Sequence, residues 1–367
     1  MRKVNQDSYC IQRELAAVPG LWMFGVMDGH GVNGHQASNF CKSAIPTILT
    51  LLMGGAAPND IVFANNKIVN RKARANGKKQ DAVGLNSSGF LPNITGRAAA
   101  QRSNSNDAAG AGVAPGTIKD ADTWLSTDLK NRDKQICDAF ELCQDKLDGD
   151  SKIDVMFSGT TSVYCFLSNN HLVCANAGDS RAMLCSLVNG KWQATQLSRD
   201  HKPDEQDEAA RVKRSNGRIE QSRLQPGMTM PGLRTQAGMF YGPKRVWLKN
   251  KQVPGLAMTR SIGDMAATSV GVTAKPEVTY FPNLSANDKI LVMGSDGLWD
   301  RFSNHEIMMI IVNGFYQQRD AEGAINFLMK ESVDRWTREQ GMVDDITIAI
   351  AYLNVGQRTP DQAGPGQ

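Results

Sequence analysis

The sequence predicts an α+β fold, an α-β-β-α sandwich in which two antiparallel sheets pack face to face with helices on both outer sides. Two observations predict it. Short apolar runs joined by turn residues alternate with longer stretches that have a helical apolar face, and these helices fall in pairs on either side of the strand-rich segments. Because each sheet must bury an apolar face, sheet packed on sheet with helices outside is the natural layer arrangement.

Paired apolar runs predict two β-hairpins. Asn169-Asn170 joins the first pair and Asn189-Gly190 joins the second. The second signal is the stronger, because Asn-Gly supplies positive φ at both turn positions. The paired runs are residues 161–168 with 171–178 and 181–188 with 192–197. Further buried strands are predicted over residues 21–28, 290–296 and 346–351.

Helices are predicted where apolar residues recur at helical spacing. Pro46 is expected to bend or restart the first helix, and Ser303 with Glu306 forms a capping box at the start of another. The periodic stretches are residues 35–53, 128–147, 204–216 and 321–339.

Composition separates a core from two segments of different character. Residues 54–125 are rich in Gly, Ala, Asn and Ser, which predicts an insertion with little core of its own. The tail at residues 357–367 is polar and rich in Gly and Pro, and we expect it to be disordered.

The composition also argues against several classes of protein. A net charge of +4 without a basic block gives no support for nucleic-acid binding, and no apolar stretch is long enough for a membrane span. The seven cysteines show no CxxC pair, so they are interpreted as buried thiols in a reducing compartment. The N-terminus lacks the apolar region of a signal peptide, which predicts a soluble cytoplasmic or nuclear protein.

Three acidic positions at strand ends carry the candidate chemistry. Asp28 and Asp296 each end an apolar run and precede glycine, and Asp344 begins another apolar run. Carboxylates converging on strand ends make a site for hard cations such as Mg²⁺ or Mn²⁺. For any one motif alone, a simple Asp-Gly turn is an equally open interpretation.

The residues around these positions extend the hypothesis. Asp28 can bridge two cations, the Gly29 carbonyl can be a further ligand, and His30 can donate a proton beside the metals. Asp179, at a Gly-Asp turn, is a candidate for an extra metal ligand, although tight turns of this composition are common. Asp300 follows Asp296 at a spacing that could place it near the same site.

Nine motifs in order make the chain resemble the PPM family, the metal-dependent type 2C serine/threonine protein phosphatases. Any one of these motifs is weak evidence, but their common order is specific. They are residues 4–8 (VNQDS), 24–31 (FGVMDGHG), 158–161 (SGTT), 177–181 (AGDSR), 200–203 (DHKP), 256–264 (LAMTRSIGD), 275–278 (KPEV), 295–300 (SDGLWD) and 344–347 (DDIT).

The resemblance implies one catalytic domain over residues 1–356, with a flap at about residues 220–255 beside the site. It implies two Mg²⁺ or Mn²⁺ ions bridged by Asp28, and a third, weaker ion at Asp179. His30 would protonate the leaving oxygen, and a metal-activated water would attack phosphorus. The remaining positions carried over are Gly29, Asp296 and Asp344 as metal ligands, Asp7 and Gln6 behind the ligands, with Asp300 nearby, and Arg2 as the phosphate-binding arginine.

Three functions are compatible with this resemblance. The first is an active phosphatase, a monomer acting on phosphoproteins in intracellular signalling. The second is a pseudophosphatase that uses the same fold as a binding module. The third is a hydrolase of small phosphoesters. Asp28, Asp296 and Asp344 are all present, which favours an enzyme over a binding module.

Overall fold

The computed structural model describes residues 4–64, 67–72, 118, 120–224 and 238–355. The strands in this part of the chain are β1 Ser8–Arg13, β2 Trp22–Met27, β3 Gly29–His30, β4 Ile61–Ala64, β5 Lys67–Asn70, β6 Gly159–Thr160, β7 Ser162–Leu167, β8 Leu172–Ala177, β9 Arg181–Val188, β10 Lys191–Gln196, β11 Gly217–Arg223, β12 Phe240–Leu248, β13 Pro254–Leu256, β14 Ile262–Gly263, β15 Glu277–Phe281, β16 Asp288–Gly294 and β17 Ile348–Tyr352. The α-helices are Gly34–Met53, Ala121–Ser126, Leu129–Asp148, Gln206–Arg214, Met265–Thr268, Asp296–Trp299, Asn304–Val312 and Ala321–Gln340.

Two larger antiparallel sheets hold most of these strands. One sheet has five strands in the order β1-β2-β7-β8-β15, and the other has four in the order β10-β9-β16-β17. Smaller sheets join β14-β6-β3, β11-β12-β13 and β4-β5. The strand pairs of these sheets are antiparallel throughout.

Three apolar clusters show how the layers pack. Successive side chains of a strand point to opposite faces, and β2 accordingly sends Met23 and Met27 into a first cluster with the helices Gly34–Met53 and Leu129–Asp148. Phe24 and Val26 enter a second cluster, which they share with residues of β7, β8, β9 and β16. The opposite faces of β9 and β16 form a third cluster with the helices Asn304–Val312 and Ala321–Gln340.

Most of the predicted elements are confirmed. Both hairpins form, and the turn between β9 and β10 has positive φ at Asn189 (50°) and Gly190 (75°). The capping box is present, with Ser303 accepting from the Glu306 backbone and the Glu306 side chain accepting from Ser303. The helix Gly34–Met53 runs continuously through Pro46, so the predicted restart is wrong.

The structure describes both ends of the segment at residues 54–125. Ile61 and Ile68 of the β4–β5 hairpin are buried, as are Trp124 and Leu125 of the helix Ala121–Ser126, and all four belong to the first cluster. Short elements at both ends of the segment therefore pack on the domain, and an insertion with little core of its own stays a prediction. Residues 73–117, like the tail at 357–367, lie outside the described residues.

Two further expectations concern the flap and the bulk properties of the chain. The predicted flap at residues 220–255 contains part of β11, all of β12 and the start of β13, and residues 225–237 lie outside the description. All seven cysteines are free thiols, as predicted. Among the helices that the structure describes, none combines the length and apolar character needed to cross a membrane.

Candidate metal centre

The strand ends bring the predicted acidic residues to one place. Asp28 directly follows β2, and Asp179 lies two residues beyond β8. Thr161 connects them: the Asp28 backbone N–H donates to Thr161 Oγ1 (3.0 Å), and Thr161 Oγ1 lies 2.6 Å from Ser180 Oγ. Asp296 begins the short helix that follows β16 in the other sheet, and it lies close enough to Asp28 for each carboxyl group to shift the pKa of the other.

Burial and mutual repulsion define the electrostatics of this group. Burial raises the pKa of Asp28 well above its ordinary value, and the charges of Asp296 and Asp7 raise it further. Burial likewise raises the pKa of Asp296, with added repulsion from Asp179, Asp300 and Asp344. Six acidic groups thus lie near one another, namely Asp7, Asp28, Asp179, Asp296, Asp300 and Asp344. Asp179 is buried, whereas Asp300 is exposed.

These residues fit divalent cations by their charge and donor type. Asp7 Oδ1 and Asp179 Oδ1 are buried without a hydrogen-bond partner. The Lys202 ammonium offers partial compensation, at 3.0 Å from Asp300 Oδ1 and 3.9 Å from Asp179 Oδ2. Buried carboxylates are costly unless a cation pairs with them, and a set of oxygen donors suits Mg²⁺ or Mn²⁺.

The arrangement of these acidic side chains resembles a metal site less than their charge does. In the part of the chain that the structure describes, no three His, Cys, Asp or Glu side chains already stand as a metal-holding group. The described residues therefore supply the charge and the donor type of a divalent-cation site without a preformed group of ligands.

The Gly29 backbone has little space around it. A Cβ atom at this position would lie 2.3 Å from the Gly34 carbonyl oxygen and 2.5 Å from that of Gln6. Any larger residue would therefore displace the turn that follows Asp28. The structure thus explains the glycine at this position by close backbone contact, and the role of its carbonyl stays a prediction.

The N-terminal segment is joined to the loop before β17. The Gln6 backbone N–H donates to Asp345 Oδ2 (2.9 Å), and the Gln6 side chain donates to the Gly31 carbonyl (2.6 Å). Asp7 Oδ2 accepts from Ser295 Oγ (2.8 Å). These bonds place Asp7 and Gln6 behind the candidate ligands. Arg2 lies outside the described residues.

His30 is held by a partner to which no role was predicted. Its Nε2 lies 2.6 Å from Asp264 Oδ2, which also accepts from Ser261 Oγ (2.7 Å). Asp264 has a left-handed backbone, with φ of 49°, a conformation that costs energy and concentrates at functional sites. Burial lowers the pKa of His30, but the charge and hydrogen bond of Asp264 outweigh it, so that the pKa is raised.

Sequence reasoning thus missed Asp264 and Lys202 as parts of the site. Both residues lie within motifs of the PPM family resemblance, at residues 256–264 and 200–203, and these motifs could have indicated them. Their partners are remote in the chain, since Asp264 contacts His30 across 234 positions and Lys202 contacts Asp300 across 98. No local pattern encodes such contacts.

Comparison with known proteins identifies the class that this fold and site define. The family model described as protein phosphatase 2C matches residues 94–341, which is more than half of the chain, so the chain belongs to the protein phosphatase 2C family. This confirms the assignment to protein serine/threonine phosphatases. Asp28 and Asp344 lie outside the matched range, so their roles depend on the geometry above.

Individual relatives cover most of the chain. It is 30% identical over 354 residues to probable protein phosphatase 2C 35 of Arabidopsis thaliana, spanning 96% of this chain and 79% of that one. It is 28% identical over 370 residues to probable protein phosphatase 2C 73 of Oryza sativa subsp. japonica, spanning 99% and 74%. The solved serine-threonine phosphatase 2C of Toxoplasma gondii superposes with a TM-score of 0.63 at 18% identity, covering 96% and 91% of the two chains. That likeness supports the fold, one of mixed helices and antiparallel sheets.

Proposed function

We propose that this protein hydrolyses phosphoserine and phosphothreonine in phosphoproteins at a centre of two Mg²⁺ or Mn²⁺ ions. Family membership supports the class of reaction. The observation that carries the proposal is the group of carboxylates of Asp28, Asp179 and Asp296 at the ends of β2, β8 and β16, of which Asp179 is buried and the other two are half-buried. Their pKa values are raised by burial and by neighbouring acidic groups. Such a group is costly in the metal-free protein and is stabilised when divalent cations bind.

The proposed roles follow the positions of the side chains. Asp28, the Gly29 carbonyl, Asp296 and Asp344 would hold the two ions, and Asp179 would hold a third, weaker one. When bound, the ions supply Lewis-acid stabilisation of the phosphoryl oxygens and activation of the attacking water. Asp7 and Gln6 would position groups behind these ligands, with Asp300 nearby. Arg2 remains a predicted phosphate-binding residue.

His30 is the proposed general acid. Its imidazole would donate a proton to the serine or threonine oxygen that leaves phosphorus. The hydrogen bond between Nε2 and Asp264 fixes the ring and favours its protonated form, while the buried Nδ1 has no partner of its own. Proton donation matters most for alkoxide leaving groups, which are poor.

The architecture and setting belong to the same proposal. We infer that residues 1–356 form a single α-β-β-α domain, which is supported by the three apolar clusters between helices, sheets and helices. The proposed substrates are phosphoproteins met in the cytoplasm or nucleus by a monomeric enzyme.

The incomplete grouping of the carboxylates favours a second candidate, a pseudophosphatase that binds phosphoproteins without turnover. It follows from the observation that no three ligands within the described residues already form a metal-holding group. The two candidates differ in one property, which is phosphate release that depends on added metal.

Metal-dependent phosphate release tests the proposal. Hydrolysis of p-nitrophenyl phosphate and of a phosphothreonine peptide should require added Mn²⁺ or Mg²⁺ and should stop with EDTA. Asp28→Asn should abolish turnover while the thermal unfolding curve shows a folded protein, and Asp334→Asn, a change at an exposed helical position, should retain turnover. Activity that survives full chelation would refute the mechanism, and metal-insensitive binding without turnover would favour the pseudophosphatase.

A further inference from the structure

Three exposed apolar side chains stand beside the candidate centre. Val32 is 86% exposed, Met156 is 49% exposed and Phe157 is 52% exposed. Val32 lies two residues after His30, and Phe157 lies two residues before Gly159, which pairs with His30 across β3 and β6. We call these three residues the apolar step. It lies directly beyond the strand pair that holds the proposed general acid.

The loops that carry the apolar step are fixed to each other. A Cβ at Gly31 would lie 2.3 Å from the Phe157 carbonyl oxygen, so the two backbones touch. The Asn33 backbone N–H donates to Ser158 Oγ (3.0 Å), and its side chain donates to the Asp154 carbonyl (2.9 Å). The apolar side chains therefore project from a frame that is already ordered, which reduces the cost of binding against them.

The backbone polar groups of the loop that carries Met156 and Phe157 form hydrogen bonds within the protein. The Met156 N–H donates to Asp154 Oδ1 (3.0 Å), and the Met156 carbonyl accepts from the Ala266 N–H (3.0 Å). The Ser158 carbonyl accepts from the Asp264 N–H (2.8 Å), which links the loop to the partner of His30. Because the backbone N–H and carbonyl of Met156 are already hydrogen-bonded within the protein, the side chain of Met156 is what this position offers to a ligand.

A phosphoprotein substrate must pass this surface if the proposed function holds. The phosphorylated side chain has to reach Asp28 and His30, so the residues on either side of it cross the rim of the centre. An extended chain advances about 3.3 Å per residue, which brings near neighbours of the phosphorylated residue over positions adjacent to His30. An apolar group there gains burial against Phe157, whereas a charged group would lose its hydration.

We propose that the apolar step determines specificity by binding an apolar side chain that flanks the phosphoserine or phosphothreonine of the substrate. This inference rests on the proposed function and deepens it by naming the class of substrate sequence. Exposed apolar groups on adjoining loops beside a site are typical of interaction surfaces. The gain in binding free energy is confined to substrates that carry an apolar side chain beside the phosphorylated residue.

Paired peptides test the inference. Two phosphothreonine peptides differ only in the flanking residues, which are leucine in one and serine in the other. Phosphate release gives kcat/KM, and fluorescence anisotropy of the labelled peptides gives Kd. The variants are Phe157→Ser and Met156→Ser, and the matched controls are Phe327→Ser and Met309→Ser, which alter apolar side chains with exposed fractions of 54% and 43% on helices of the third cluster.

The wild-type protein should prefer the leucine peptide about tenfold in kcat/KM, the discrimination that a small apolar contact can supply. Phe157→Ser should bring the ratio close to one, Phe157→Leu should restore most of it, and the control variants should keep it. Thermal unfolding curves establish that each variant is folded, and hydrolysis of p-nitrophenyl phosphate measures losses common to all substrates.

The possible failures are distinguishable. Equal kcat/KM for the two peptides in the wild-type protein overturns the apolar step and leaves the proposed function standing. A binding preference that depends on Phe157 without any turnover overturns the proposed function and supports the step. A wild-type dimer that Phe157→Ser converts to monomer, seen by sedimentation, would instead assign this surface to self-association and refute the inference.

Discussion

Replacing Asp179 by asparagine is expected to stabilise the metal-free protein, which is the reverse of the usual effect of changing a buried residue. Asp179 is 3% exposed, its Oδ1 has no hydrogen-bond partner, and its nearest cation is the Lys202 ammonium at 3.9 Å. A buried carboxylate with so little compensation costs free energy whenever it is ionised. Asparagine keeps the shape of the side chain and removes the charge.

The pKa of Asp179 sets the magnitude. Burial raises the pKa of Asp179, and the Lys202 ammonium partly offsets this rise. The charges of Asp200 and Asp300 add to the rise, so that the pKa goes from 3.8 to about 6. With about 1.36 kcal/mol per pKa unit, the ionised form costs the folded protein about 3 kcal/mol. The raised value means that the folded state binds the proton more tightly, so the cost is absent below about pH 4 and complete above about pH 6.

Thermal unfolding in EDTA measures this effect. At pH 8 the Asp179→Asn protein should melt about 4 °C above wild type, and at pH 4 the difference should vanish. With saturating Mn²⁺ the advantage should shrink or reverse, because the asparagine variant lacks a proposed ligand. Asp334→Asn, at an exposed position, should show none of these changes. An Asp179→Asn protein that melts below wild type at pH 8 in EDTA would contradict the reasoning.

Three further predictions concern groups around the centre. Asp264→Asn should lower kcat for a phosphothreonine peptide about tenfold to hundredfold and that for p-nitrophenyl phosphate less, since positioning of His30 matters most for poor leaving groups; equal losses in steady-state assays would contradict this. Glu208→Gln should lower the free energy of unfolding by about 3 kcal/mol in urea titrations, because the fully buried carboxylate pairs with three arginines; a loss below about 1 kcal/mol would count against it. The pKa of Glu277 is lowered to about 2, chiefly by its hydrogen bond to His201, so the stability it contributes above about pH 4.5 should be lost as the pH falls toward 2; Glu277→Gln should flatten that part of the pH–stability curve, and an unchanged slope would refute the assignment.

Local chemistry made much of the fold predictable. The turn at Asn189-Gly190 and the capping box of Ser303 and Glu306 each require particular residues at fixed spacing, and both appear where expected. The β4–β5 hairpin was missed because its strands are only four residues long and lie in a polar segment. The burial of Ile61 is a tertiary event that no local period reports.

In the candidate site, too, features set by local sequence were predictable and features set by tertiary contacts were not. Asp28 and Asp296 could be singled out because an apolar strand ending in an acidic residue and glycine is unusual without a ligand or partner. The proximity of their carboxyl groups could not be foreseen, since it depends on how two sheets meet. Asp264 could be found as part of a motif, but its role required the contact with His30.

The hydrogen bond from Gln6 to Asp345 spans 339 positions of the sequence. During synthesis the ribosome has to reach Asp345, 339 positions after Gln6, before both partners exist, since chains are made from the N-terminus at about 5–20 residues per second. Contacts of such long range form late because closing a large loop is entropically costly. The candidate centre is therefore assembled at the end of folding, and a nascent chain released before Asp345 should be catalytically silent even where its first strands have formed.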